Sequence, residues 1–474
     1  MVIHKKTNPS EIAPYLTDAS NFSGGEADAV WIPETRDELI SILKGNDQPI
    51  TIAGAGTGLT ASRIPLSGAI ISMERFNFMG EILNGTVEVG PAISLQNLRS
   101  HLQGSSWFYP PNPTESLASL GGTLATNASG ARSFKFGPTR DYVLEVDIVL
   151  ADGRATRVVR GQKIDSPLKF GDGSQCCFPN IKYRSPQCKN AAGYFIQPGM
   201  DWLDLFIGSD GTLCIFTQVK LRLMPAPEAF LSGILFMENE DDCWNLVASL
   251  KASDSNFISP CSLEYFDVFS LARLKNKFNG IPPHSRAALF FEQDIPLKND
   301  YEVCLESWVT FLESRQIMLE DSWFAQNEKD LEKFHDFRHQ IPLLLNEENS
   351  RLGRVKLGTD MAVSDEHFLD MMHFYRKELT RSGLDYVMFG HIGDNHLHIN
   401  LLADQNQTEL ASKTHRILLD QILKYGGTIS AEHGIGKLKK DYYKQMVGPE
   451  AIQELKMIKK MLDPEEKLGR GNLL

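Results

Sequence analysis

Two short stretches late in the chain concentrate side chains that bind metals and move protons. Residues 387–401 read VMFGHIGDNHLHINL, and residues 428–437 read TISAEHGIGK. His396, His398 and Asn400 alternate, so a strand would carry them on one face, while His391 precedes that strand across a Gly-Asp turn. Spacing alone makes His396 and His398 the natural same-face ligand pair, with Glu432 as carboxylate partner. Two or three imidazoles with one carboxylate suit zinc, manganese or ferrous iron, and the residue types do not choose among them. His433 follows Glu432 directly. A neutral imidazole beside a bound cation suits a general base that takes a hydroxyl proton near neutral pH.

Glycine marks a second kind of site. Residues 53–60, AGAGTGLT, directly follow the strand-like PITI. A glycine turn after a strand lets backbone N–H groups approach a phosphate with no side chain between. Gly54, Gly56 and Gly58 make neither the G-x-G-x-x-G of a Rossmann turn nor a Walker loop, which needs Gly-Lys-Ser/Thr. Residues 109–132, YPPNPTESLASLGGTLATNASGAR, have few bulky side chains after Ser119. That pattern fits backbone laid against a flat or extended ligand, or a small-residue helix packed closely on a neighbour. The two segments together suit a dinucleotide that is not held in a Rossmann turn.

These residues need elements to position them. Ile50 to Ala53, Ala69 to Ser72, Thr86 to Val89 and Val146 to Leu150 read as strands, with a helix over Ser94 to Gln103 between them. Asp152-Gly153 separates VDIVLA from ATRVV as a hairpin turn would. Leu213 to Leu223 is another strand, and Met-Pro-Ala-Pro at 224–227 ends it at a domain boundary. Beyond it, helices over Asp241 to Leu250, Tyr301 to Arg315 and Asp365 to Arg381 alternate with strands such as Ala287 to Glu292 and Met388 to Leu402. A last helix covers about Pro449 to Met461. This divides the 474 residues into parts spanning 1–227, 228–424 and 425–474.

Composition excludes several classes. A net charge of −12 argues against nucleic-acid binding. Met1 to Ser10 carries two lysines with no apolar run behind them, so no signal peptide is expected, and no stretch is apolar enough for a membrane span. The seven irregularly spaced cysteines suggest reduced thiols in a cytoplasmic protein, not an iron–sulfur cluster.

The two glycine-rich segments, followed by KNAAGY (189–194), LFIGSDGTLCIFT (205–217) and AEHGIGK (431–437), resemble the FAD-linked oxidase family over nearly the whole chain. That family includes D-lactate dehydrogenases, D-2-hydroxyglutarate dehydrogenases and the flavin subunit of glycolate oxidase. The resemblance implies an α+β fold: a vanillyl-alcohol-oxidase-type two-part FAD-binding domain, an α+β substrate cap, and a C-terminal segment returning to the flavin. It implies that Gly54, Gly56, Thr57, Gly58 and Leu59 hold the phosphates of FAD. Gly121, Gly122, Asn127, Gly130 and Ala131 would line the ribityl and pyrophosphate path, and Gly211 and Ile215 would touch the flavin. No histidine lies in the first loop, so the FAD is expected to be non-covalent. The family's H-x-G-D-G-N-L-H motif shifts the metal ligands to His391 and His398 with Glu432, and assigns the base to His433. This chain has Asn395 and His396 where the motif has Gly and Asn, which makes His396 a supporting group or an alternative ligand. Cys214 likewise stands where the family has Gly. Arg338, Lys356 and Asn400 match substrate-binding positions.

The implied reaction is oxidation of a small D-2-hydroxy acid, with electrons passed to a partner subunit, a quinone or a soluble carrier. An oxidase using dioxygen, and a flavin subunit within a glycolate-oxidase-like complex, are the alternatives.

Overall fold

The computed structural model describes residues 3–474; Met1 and Val2, where the N-terminal segment begins, lie outside the described residues. The β-branched runs Ala29–Ile32, Ala69–Ser72 and Ile50–Ala53 pair in parallel, and His4–Lys6 adds an antiparallel edge. A second four-stranded sheet is antiparallel, in the order Thr86–Val89, Ile215–Arg222, Val143–Val149, Ala155–Val159. The hairpin expected at Asp152-Gly153 joins its last two strands, with Gly153 at φ 83°. Each strand presents alternate apolar side chains to a core shared with the helix Leu95–Leu102, whose Leu95, Leu98 and Leu102 are all buried.

The segment rich in small residues forms a short helix, Leu120–Thr126, capped by the Ser119 hydroxyl. Its N-terminus abuts the first glycine loop, where Ala55 N–H also points to Ser119 Oγ at 3.4 Å. The segment is helical and packs closely on a neighbour, since a Cβ on Gly121 would overlap Pro91, while Gly121 and Gly122 also line a cavity.

An eight-stranded antiparallel sheet dominates the second half. Its order is Trp323–Phe324, Ala229–Met237, Ala287–Ile295, Ser262–Asp267, Asp385–Gly390, His396–Ala403, Val355–Gly358, with Met361–Ala362 also pairing to His396–Ala403. The single strand expected over Met388 to Leu402 is two strands. Gly390 (φ 129°) and Asn395 (φ 54°) break the extended chain, and Ile392–Asp394 makes one tight helical turn between them. This fold-back brings His391 beside His398 instead of leaving it several residues away along a strand.

One face of this sheet is covered by the helix Glu328–Leu352, capped by the Asn327 side chain and closed by Gly353 at φ 62°. Phe334, Phe337, Ile341 and Leu345 recur every three or four residues and bury against Phe236, Phe266, Phe290, Val387 and Leu402. Pro342 has no N–H to give the carbonyl of Arg338, so the helix lacks one bond at that residue. Strand alternation puts Glu264, Glu292, His398 and Asn400 on the same covered face as Phe266, Phe290 and Leu402. The site thus forms where an apolar helix–sheet interface gives way to its polar end.

The C-terminal segment returns to the N-terminal sheet. Lys467 and Leu468 run beside Ile50, and Asn472 Nδ2 donates to the carbonyls of Ser62 and Asp210. Gly436 (φ 50°) passes so close to the Thr60 carbonyl that a Cβ there would overlap it. Among the described residues the seven cysteines are unpaired, and no helix is long and apolar enough to cross a membrane.

Candidate active site

A cavity of about 490 Å³ runs from the first glycine loop to the histidine cluster. Its lining includes Gly54, Gly56, Thr57, Gly58 and Leu59 of the first loop, Gly121, Gly122, Gly211, Cys214 and Ile215, and His391, His398, Glu432 and His433. A Cβ on Gly58 would meet no atom within 4 Å, and Gly56 takes φ 80°, a conformation that favours glycine. A loop of bare backbone facing an elongated cavity fits a pyrophosphate and its attached rings.

The histidine cluster is built for positive charge. One donor atom from each of His391, His396, His398 and Glu432 lies within 4.8 Å of the others. His391 Nδ1 is 2.6 Å from Glu264 Oε1, and its Nε2 is 3.3 Å from Glu432 Oε1. Burial pulls the His391 imidazole down, but Glu264 and Glu432 on either side lift it to about 9. Burial likewise pushes Glu264 up, and Arg338 and His391 overcome it to bring that carboxyl to about 2. Lys189 is buried, with Nζ 2.7 Å from Glu432 Oε1 and 3.0 Å from Asp394 Oδ2, and Ser129 Oγ also donates to Glu432 Oε1. Buried imidazoles and carboxylates gathered this tightly fit a divalent cation by donor chemistry.

His433 lines the same cavity, and its Nδ1 lies 3.2 Å from Asp360 Oδ2. Asp360 is almost fully buried and is the hub of the region. It accepts from Lys439 Nζ (2.5 Å), Ser430 Oγ (2.8 Å), and the backbone N–H groups of Glu432 and His433 (3.1 Å each). Burial opposes its charge, yet His433 and Lys439 hold its carboxyl well below the usual range.

Residues 226–473, more than half the chain, match the model of the FAD linked oxidases, C-terminal domain, and residues 27–158 match an FAD binding domain. The chain belongs to the FAD-linked oxidase family.

It is 27% identical to a protein named glycolate oxidase subunit GlcD from Bacillus subtilis, over 97% of this chain and 91% of that protein. A D-lactate dehydrogenase of Anaerostipes hadrus is 26% identical over 92% and 86%. A D-2-hydroxyglutarate dehydrogenase of Stutzerimonas stutzeri is 22% identical over 98% and 95%. Among solved structures, p-cresol methylhydroxylase superposes with TM-score 0.72 at 15% identity, covering 99% of this chain and 93% of that one. The 4-ethylphenol oxidase of Gulosibacter chungangensis gives 0.68 at 15%, covering 99% and 94%. The vanillyl-alcohol-oxidase-type α+β fold expected above is therefore the fold of this chain, a member of an FAD-dependent oxidoreductase family.

Not every expected site residue lines the cavity. Asn127 ends the helix Leu120–Thr126 in the left-handed conformation, and its Oδ1 accepts from Arg140 N–H at 3.0 Å. Gly130 packs against the Asn112 carbonyl and Ala131 is buried. Arg338 is buried with Nε 3.5 Å from Glu264 Oε2, one carboxylate removed from His391. Asn400 is buried two residues beyond His398. Lys356 is exposed on the neighbouring edge strand and donates to Asn346 Oδ1 at 2.9 Å.

Asp360, Glu264 and Lys189 are the residues that sequence reasoning missed. Lys189 opens the KNAAGY segment, and Asp360 lies four residues past Lys356, but an isolated acid or base carries no spacing signal.

Proposed function

We propose that this chain is an FAD-dependent dehydrogenase that oxidises a small D-2-hydroxy acid to the 2-oxo acid. The observation that carries the reading is the one cavity lined both by the glycine loops and by His391, His398, Glu432 and His433. FAD lies against Gly54, Gly56, Thr57, Gly58, Leu59, Gly121, Gly122, Gly211 and Ile215, held non-covalently, since no histidine lies in the first loop. His391, His398 and Glu432 hold a divalent cation, zinc in the first instance, with manganese and iron as the other fits. When bound, FAD supplies the two-electron acceptor and the cation supplies Lewis acidity to the substrate hydroxyl.

The chain's own residues do the rest. Asp360 engages His433 Nδ1, which leaves Nε2 as the nitrogen free to take the hydroxyl proton. Arg338, whose Nε lies 3.5 Å from Glu264 Oε2, is the guanidinium for the substrate carboxylate, which its planar fork suits better than an ammonium. Asn400, on the same sheet face as His398, orients the substrate, and Lys356 adds a second positive charge at the outer edge. Residues 1–227 and 425–474 form the flavin side and 228–424 the substrate side. Electrons leave to a partner subunit, a quinone or a soluble carrier; one relative's name as an oxidase subunit supports the first.

Acid precipitation of the purified protein should release its FAD into the supernatant. Under anaerobic conditions, a panel of D-2-hydroxy acids should contain one that bleaches the flavin and yields an equimolar 2-oxo acid. A panel in which none reduces the flavin would refute the reading.

A further inference from the structure

We infer that His396 is a third imidazole ligand, so that the cation site is a set of three histidines and one carboxylate. This rests on the cation reading proposed above and sharpens it. Two of the imidazoles have one nitrogen held by a hydrogen bond, and the third, His396, has one nitrogen within reach of a carboxylate. His391 gives Nδ1 to Glu264 and turns Nε2 toward Glu432. His398 has Nδ1 3.3 Å from the Thr359 carbonyl, which leaves its Nε2 for another partner. His396 has Nε2 3.0 Å from Asp360 Oδ1, which leaves Nδ1. A metal-bound histidine has this arrangement, with one nitrogen held by a carboxylate or carbonyl and the other turned to the ion.

Burial strengthens the case. His396 is fully buried, and neither ring nitrogen makes a well-formed hydrogen bond, since the Asp360 contact is close in distance but poor in direction. A buried imidazole left in that state is costly unless something else satisfies it. Its ring centroid is 4.5 Å from that of His398 and 5.4 Å from that of His391, and its donor atom belongs to the group lying within 4.8 Å. Four tetrahedral ligand atoms about 2.0–2.2 Å from one ion sit about 3.3–3.6 Å apart, so the widest pair closes by about an ångström when an ion gathers all four.

Three imidazoles and one carboxylate select late first-row divalent cations over magnesium or calcium, which take oxygen ligands. Replacing His396 by asparagine should weaken the site by more than the roughly 10–100-fold that loss of a supporting group costs. That comparison alone would not separate a ligand from a support, so the test counts imidazoles.

The FAD-loaded protein is stripped with a chelator, reloaded with Co²⁺ and examined by proton NMR. Each ligating imidazole gives one exchangeable N–H signal shifted by the paramagnetic ion. The wild type should show three, and His396→Asn and His396→Gln should each show two with flavin absorbance unchanged. Two signals in the wild type, undiminished in His396→Asn, would overturn the assignment of His396 and leave the cation site standing. Failure of the wild type to bind an equivalent of Co²⁺ would overturn the cation site as well.

Discussion

Replacing Asp360 by asparagine keeps the side-chain shape and removes its charge. In the native arrangement this carboxylate holds Lys439, Ser430, two backbone N–H groups and His433 Nδ1. Hydrogen bonds to charged groups contribute about 1.5–3 kcal/mol each. Breaking a buried ion pair costs about 3–5 kcal/mol, because the remaining charge is left uncompensated. Lys439 would be that charge. Lys439 Nζ and His433 Nδ1 share Oδ2, so an amide turned with its NH₂ there faces both with a donor. One turned the other way faces the Glu432 N–H and His396 Nε2 with a donor and leaves only a neutral oxygen for Lys439 and His433. His433 then loses control of which nitrogen carries its proton, and flavin reduction should slow by roughly 10²–10⁴-fold, the usual range for a general base. The assay is anaerobic stopped-flow reduction of the bound FAD, with the melting temperature and FAD-to-protein ratio measured on the same sample. A folded, FAD-loaded Asp360→Asn protein that reduces its flavin within a few-fold of the wild-type rate would refute the reasoning.

Four further outcomes follow from the same structure. His433→Ala should slow flavin reduction by roughly 10²–10⁴-fold with FAD still bound; a near-normal rate removes it as the base. Chelation should abolish substrate oxidation while the flavin spectrum persists, and full activity in metal-free protein would leave the histidine cluster without its proposed role. Gly436→Ala should destabilise the contact between the C-terminal segment and the first glycine loop, since a Cβ overlaps the Thr60 carbonyl, by about 1–3 kcal/mol for backbone strain; an unchanged melting temperature would contradict this. Asp267 is buried, which pushes its carboxyl up to about 7. Its stabilising contribution is therefore complete below the unfolded value near 3.9 and is lost as pH rises through 7. Asp267→Asn should flatten the fall in melting temperature between pH 5 and pH 8.5, and parallel curves for the two proteins would rule this out.

Local pattern carried much of the fold. Ile50–Ala53 and Ala155–Val159 are legible because β-branched runs end at glycine turns. The helix Glu328–Leu352 is harder to see, since its apolar stripe is interleaved with charged residues and interrupted by Pro342. The single strand over Met388 to Leu402 fails for a local reason: the sequence shows Gly390 and Asn395, but not that both take positive φ and fold the chain back.

The candidate site divides in the same way. His391, His398, Glu432 and His433 stand in two compact motifs, whereas the groups that hold them lie far off in sequence. Glu264 is 127 residues from His391, and Asp360 is 72 from Glu432. Lone acids meet their partners only through tertiary folding, and no periodicity announces them. Spacing along one strand favours His396 with His398; the fold-back at residues 390–395 is what adds His391, without displacing His396 from the group.

The central claim is that one cavity brings FAD and a D-2-hydroxy acid together at His433. Anaerobic single turnover with the two enantiomers of the best acid from the panel tests it most directly. The D form should bleach the flavin completely with one equivalent of 2-oxo acid formed, and the L form should leave it oxidised. Equal bleaching by both forms, or bleaching by neither, would contradict the account.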